Sequence, residues 1–165
     1  MKKIIVAAIS LLGFISCKTP NLETFRAEAL AAELTTINQE KTTFEAVLEK
    51  HKGKVIVLDV WASWCSDCIK AMPKLKQLQA DFPEIEHVFI SMDKSFEPWQ
   101  KGITKYNIQG DHYWATDGMK GIYGKAIDLD WIPRYIIIDK QGNIAHYRAI
   151  EADDTEFRNT LKKLL

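Results

Sequence analysis

A three-layer α/β domain is the fold class this sequence predicts, a sheet with a mostly parallel centre and helices on both faces. Two apolar runs, Lys54–Ala62 and His87–Met92, read as strands covered on both sides, because neither shows the alternation of a half-exposed strand. Between them Ile69, Met72, Leu75, Leu78 and Phe82 recur at helical spacing, which completes a strand–helix–strand unit. Further on, Arg134–Asp139 and Ile144–Ala149 flank Lys140-Gln141-Gly142-Asn143, the pattern of a strand hairpin. Strand–helix–strand units cross over right-handedly and set strands parallel, whereas the hairpin adds an antiparallel edge.

The other elements follow in chain order. Lys18 to Gln39 holds few core-sized residues; Leu22, Phe25, Ala29 and Leu34 would share one face of a short helix. Thr42-Thr43-Phe44-Glu45 matches a capping box, followed by Phe44, Val47 and Leu48 at helical spacing, and His51-Lys52-Gly53-Lys54 breaks that helix. Pro73 should kink the helix after the first strand without ending it. Ser95–Tyr106 reads as a helix with Pro98 in its first turn, Asp111–Ala115 as a short strand and Lys120–Ala126 as a short helix. Asp153-Asp154-Thr155 caps a last helix carrying Phe157, Leu161, Leu164 and Leu165.

A basic start at Met1-Lys2-Lys3, an apolar run from Ile4 to Ile15 and a small residue before Cys17 form a secretory signal, too short for a permanent spanning helix. Its end, Ser16-Cys17, resembles a bacterial lipobox, in which the cysteine is lipidated and becomes the new N-terminus; Phe14 stands where leucine is usual. The plain alternative is a cleaved signal that leaves a free thiol. The lipobox reading divides the chain into a signal peptide at 1–16, a lipid-anchored tether at 17–39 and a folded domain at 40–165. It implies a periplasm-facing lipoprotein, and Lys18, in place of an aspartate retention signal, points to the outer membrane. Losing Lys2 and Lys3 leaves 20 basic against 22 acidic residues, a balance with no footprint of nucleic-acid binding.

Of three cysteines, only Cys65 and Cys68 remain if Cys17 carries lipid. Their loop is too small to constrain an unfolded chain much, so function explains the pair better than stapling does. Trp64-Cys65-Ser66-Asp67-Cys68 falls where the first strand hands over to a helix. There a thiol meets the positive end of the helix dipole and unpaired amide N–H groups, which favour the thiolate that attacks disulfides. Cys65 starts the helix and should be the exposed nucleophile; Cys68, one turn in and more buried, should resolve the mixed disulfide. Asp59, between Leu58 and Val60, is a buried acid whose pKa burial should raise, suiting it to take the Cys68 proton through water. A structural pairing with a lysine such as Lys54 is the alternative.

Val57-Leu-Asp-Val-Trp-Ala-Ser-Trp-Cys-Ser-Asp-Cys68, Pro73 five residues on, and Trp131-Ile-Pro-Arg-Tyr-Ile-Ile-Ile-Asp139 with Gln141-Gly142 resemble the motifs of the thioredoxin superfamily. The long stretch from Met92 to Trp131 and the lipobox make the chain look like its exported TlpA/ResA-like branch. The resemblance implies a thioredoxin-like three-layer fold with a central mixed sheet, and a buried carboxylate, Asp59, beneath the sulfurs. It implies a cis Ile132–Pro133 bond beside Cys65, with the Ile132 backbone free to pair with an extended substrate. Trp64 would form an apolar rim for docking partners, and Trp61 core packing. Asp67, where the family often has proline, disfavours the thiolate and makes the pair more reducing.

The activity implied is thiol–disulfide exchange on exported proteins, such as those on the way to cytochrome maturation, with electrons from a membrane donor and neither metal nor organic cofactor. Two other classes of chemistry fit these residues less well. A peroxiredoxin-like peroxidase needs a Pro-x-x-x-Thr-x-x-Cys setting, and none precedes Cys65. A copper or zinc chaperone needs further ligands. His51, His87, His112 and His146 are scattered without ligand spacing and read as surface or satisfied residues.

Overall fold

A computed structural model describes residues 23–165; Cys17, Leu22 and the segment 1–16 read as a signal lie outside the described residues. Its elements are α1 (Ala27–Leu30), β1 (Glu33–Thr36), β2 (Lys41–Thr43), α2 (Phe44–Lys50), β3 (Ile56–Trp61), α3 (Ser66–Asp81) and β4 (Glu86–Ser91). Then come α4 (Phe96–Tyr106), β5 (Asp111–Trp114), α5 (Ile122–Ala126), β6 (Arg134–Ile138), β7 (Ile144–Ala149) and α6 (Thr155–Leu164). The strands form one seven-stranded sheet ordered β2-β1-β5-β4-β3-β6-β7. Its centre, β5-β4-β3, is parallel, and every other pairing is antiparallel. All six residues of β3 are buried, as expected of a strand with neighbours on both edges and helices on both faces.

The layers follow from side-chain contacts. Tyr135 of β6 meets Phe157 of α6, and α6 reaches α3 through the Arg158–Asp81 ion pair, so α3 and α6 share a face. Right-handed crossovers put α4 there too. Arg134, one residue from Tyr135 and so on the opposite face, lies by the ring of Tyr147, whose hydroxyl donates to Ile127 O at the end of α5. Phe44 of α2 joins that layer by its edge-on contacts with Tyr123 and Phe25.

Three expectations are corrected. Residues 27–36, assigned to the tether, supply α1 and a strand paired on both sides, with Leu34 fully buried. Leu34 therefore lies in β1 and not on a helix with Phe25 and Ala29. The cap of α2 is Thr43, whose hydroxyl accepts from Ala46 N at 3.2 Å; Thr42 is paired in β2. On α3 the buried stripe begins at Cys68 and runs through Ala71, Met72, Leu75 and Leu78, leaving Ile69 half-buried. The helix passes Pro73 unbroken, with that proline exposed.

Candidate active site

The C-terminal end of β3 leads through Ala62, Ser63 and Trp64 to Cys65, which stands at the N-cap of α3. Its Sγ accepts the Cys68 backbone N–H at 3.1 Å, so sulfur fills a place usually held by a serine or aspartate oxygen. Cys65 and Cys68 are joined as a disulfide, with Cα atoms 5.3 Å apart. Cys68 is 1% exposed, since it belongs to the apolar stripe of α3. Cys65 is 7% exposed, which corrects the expectation of an open thiol. The segment ahead of Pro133 covers it, with Ile132 O 3.6 Å from Cys65 Sγ. The Ile132–Pro133 peptide is cis.

Asp59 is 1% exposed, and its Oδ1 has no hydrogen-bond partner within the protein. It is paired across the sheet with Tyr135, which faces α6, and so lies on the face that α3 covers. No ion pair, with Lys54 or any other cation, is made by Asp59 among the described residues. Burial without compensation pushes its carboxyl from the usual 3.8 up to about 8, close to an ordinary thiol.

A clamp that the sequence reading missed holds the approach to Cys65. The Asp93 carboxylate, 1% exposed, accepts from Ser63 N at 2.9 Å, Ser63 Oγ at 2.6 Å and Ser91 Oγ at 2.7 Å. Its own carbonyl accepts from Trp114 Nε1 at 2.7 Å, tying the clamp to β5. On the other side of Ser63 lies Gly102 of α4, where a Cβ would stand 2.8 Å from Ser63 Cβ. The signal was present: polar residues at the carboxyl ends of parallel strands, here Ser91-Met-Asp93, are where α/β sheets place their sites.

A groove of about 340 Å³ opens over Cys65, lined by Trp64, Ser66, Asp67, Met119, Asp130, Trp131 and Ile132. Trp64 is 54% exposed at its rim, and Trp61 is fully buried. Asp67 pairs with Lys70 on the helix surface. Of the histidines, His87 alone departs from the expectation of a surface or satisfied residue. His51 and His87 are buried, His51 between Asp111 at 2.9 Å and Glu86 at 3.7 Å. His87 has neither ring nitrogen partnered, and burial lowers its pKa from 6.5 to about 4. Among the described residues no group of three or more His, Cys, Asp or Glu is placed to hold a metal ion.

A cysteine pair at a strand-to-helix junction, a cis-proline beside it and a mixed sheet of this order define a dithiol–disulfide exchange centre. The chain belongs to the thioredoxin-like family, whose model matches residues 53–144. It is similar to the thiol-disulfide oxidoreductase ResA of Bacillus anthracis, 27% identical over 119 residues that cover 71% of this chain and 67% of ResA. The thiol:disulfide interchange protein DsbE of Yersinia pestis is 27% identical over 136 residues, 81% of this chain and 69% of DsbE. In fold it is similar to a thiol-disulfide oxidoreductase from Bacteroides fragilis, with a TM-score of 0.69 and 24% identity over 81% of this chain and 96% of the other. The protein is a thiol–disulfide oxidoreductase.

Proposed function

We propose that the protein works as a reductase of disulfides in exported polypeptides, held at a membrane by lipid on Cys17. The observation that carries the exchange chemistry is Cys65 Sγ at the head of α3, receiving the Cys68 N–H beside Ile132 O. The Cys65 thiolate attacks one sulfur of the client disulfide. A Cys65–client bond forms, and the other client sulfur leaves as a thiolate that takes a proton. Cys68 gives its proton to the Asp59 carboxylate and attacks Cys65 Sγ, closing the Cys65–Cys68 disulfide and releasing the second client thiolate. Two electrons have passed to the client. The closed pair then needs a dithiol donor, which this reading places in the membrane.

The near-match between the Asp59 carboxyl and an ordinary thiol supports its role as base, since proton transfer is then close to thermoneutral. The open rim at Trp64 and the Ile132 backbone support a polypeptide client laid along Ile132–Pro133. The basic, apolar and Ser16-Cys17 succession of the leader supports export and lipidation. Asp67 inside the motif supports the reducing direction.

Turbidity from insulin reduction with dithiothreitol tests the mechanism. Cys65→Ser should abolish the catalysed rate, and a wild-type rate in that variant would remove Cys65 as nucleophile. Equilibration with glutathione tests direction: a potential more negative than the glutathione couple is expected, and an oxidising one would reverse the assignment.

A further inference from the structure

Six large apolar side chains stand exposed among the described residues, and three of them, Trp64, Trp131 and Ile150, border the grooves beside Cys65. Trp131 divides two hollows. The first is the groove of about 340 Å³ over Cys65, closed on its other sides by Trp64 and Met119. The second, about 300 Å³, has Ala71, Pro133 and Ile150 on its apolar wall and Asp67, Lys70, Lys74 and Glu151 around its rim. Both include Trp131 and Asp67, with Ile132 lining the first and Pro133 the second.

Trp131 is 56% exposed although its backbone is held on both sides. Before it, the Asp130 carboxylate binds Arg148 at 2.6 Å and also Arg134, whose side chain is 2% exposed. After it, Ile132 is buried against Cys65. Two guanidinium groups on the Asp130 carboxylate tie down the chain just before Trp131, so the indole projects into water from an anchored backbone. A large aromatic held in place beforehand is what binding surfaces use as an anchor, because little freedom is left to lose on association. Contiguous exposed apolar surface of this kind marks a contact site.

We propose that Trp131 is the specificity-determining residue of this oxidoreductase, and that it selects disulfides in extended polypeptide segments with bulky apolar side chains two residues before and two after the attacked cysteine. The proposal rests on the polypeptide-client reading above. The register follows from strand geometry. In an extended segment whose cysteine points at Cys65, only every second side chain points the same way, and those neighbours lie about 7 Å along the chain on either side. One would enter the Trp64–Met119–Trp131 hollow and the other the Trp131–Ile150 hollow.

The test uses pre-reduced protein mixed with symmetric disulfides of a nine-residue peptide with a central cysteine, the released peptide thiol being quantified after quenching. Three peptides are compared, with Leu at both second neighbours, Leu at both first neighbours, or Ser throughout. Wild-type protein should favour the second-neighbour Leu peptide over the Ser peptide by about tenfold, the ratio expected for about 1.4 kcal/mol of added contact. Trp131→Ala should bring that ratio to about one, and Trp131→Phe should retain most of it. Ile150→Ser, which alters only one of the two hollows, should lower that ratio without bringing it to one. An unchanged ratio in Trp131→Ala, or a wild-type preference for first-neighbour Leu, would overturn the proposal while leaving disulfide exchange standing. Wild-type protein oxidised by none of the three peptides would bring down the polypeptide-client reading itself.

Discussion

Asp59→Asn keeps the size of a side chain that is 1% exposed and takes away its charge. In the unfolded chain this carboxyl titrates near 3.8; in the fold, burial moves it to about 8. The folded state therefore holds the proton more tightly, and between those two pH values the unfolded state is the one that has lost it. Stability is full below the unfolded value, falls as pH rises through the window and levels off above the folded value, at about 1.4 kcal/mol per pH unit. The whole window amounts to a cost on the order of 6 kcal/mol for the ionised wild type. Asparagine has no such window. Denaturant unfolding of both proteins, with the Cys65–Cys68 bond intact, at pH 5 and pH 8 reads the effect directly. The variant should gain on the wild type by about 4 kcal/mol between the two. Parallel pH dependences would mean that Asp59 is already ionised in the fold, and the argument for it as proton acceptor would fail.

Three further outcomes are expected. Cys68→Ser should stop the reaction half-way, so that a Cys65–client adduct accumulates and mass spectrometry finds it; prompt release of client would show that Cys68 is not the resolving thiol. Asp93→Ala should leave Ser63 N–H and the Ser63 and Ser91 hydroxyls unpartnered, lowering stability by about 3 kcal/mol in denaturant unfolding. His87→Gln should remove a contribution that opposes that of Asp59. Its imidazole is lowered to about 4, so the unfolded chain protonates first as pH falls below 6.5, and this group's share of stability drops by about 1.4 kcal/mol per unit down to about 4 while that of Asp59 rises. Denaturant unfolding of variant and wild type should therefore show the variant gaining on the wild type as pH falls from 6.5 to 4, and parallel pH dependences would show that His87 is not held neutral in the fold.

The parts of the fold that were legible are those where one segment carries its own signal. β3 and α3 declare themselves because their apolar residues keep one period throughout, and the hairpin because its turn chemistry sits between two such runs. β1 and β2 are four and three residues long, rich in threonine, and only Leu34 among them is a large core residue; the pairing of β1 with β5 is decided at a distance. The same separation explains the site. Cys65, Cys68 and Pro133 can be found from local motifs, whereas Asp93 and Ser63 meet only because β4 ends beside the turn after β3. His87 heads a continuous apolar run, and that context outweighs the usual preference of histidine for the surface; its strand is covered on both faces.

Ile144 N donates to Glu23 O at 2.8 Å, and Phe25 rests edge-on against the fully buried Phe44. Ile144 is paired through Ile138 to Ile56, the first residue of β3, so the N-terminal strap is moored at the foot of the sheet, about 17 Å of strand away from the level of Trp61. The described chain thus enters the fold at the base of the sheet, at the opposite end from the opening through which a client disulfide would meet the sulfurs.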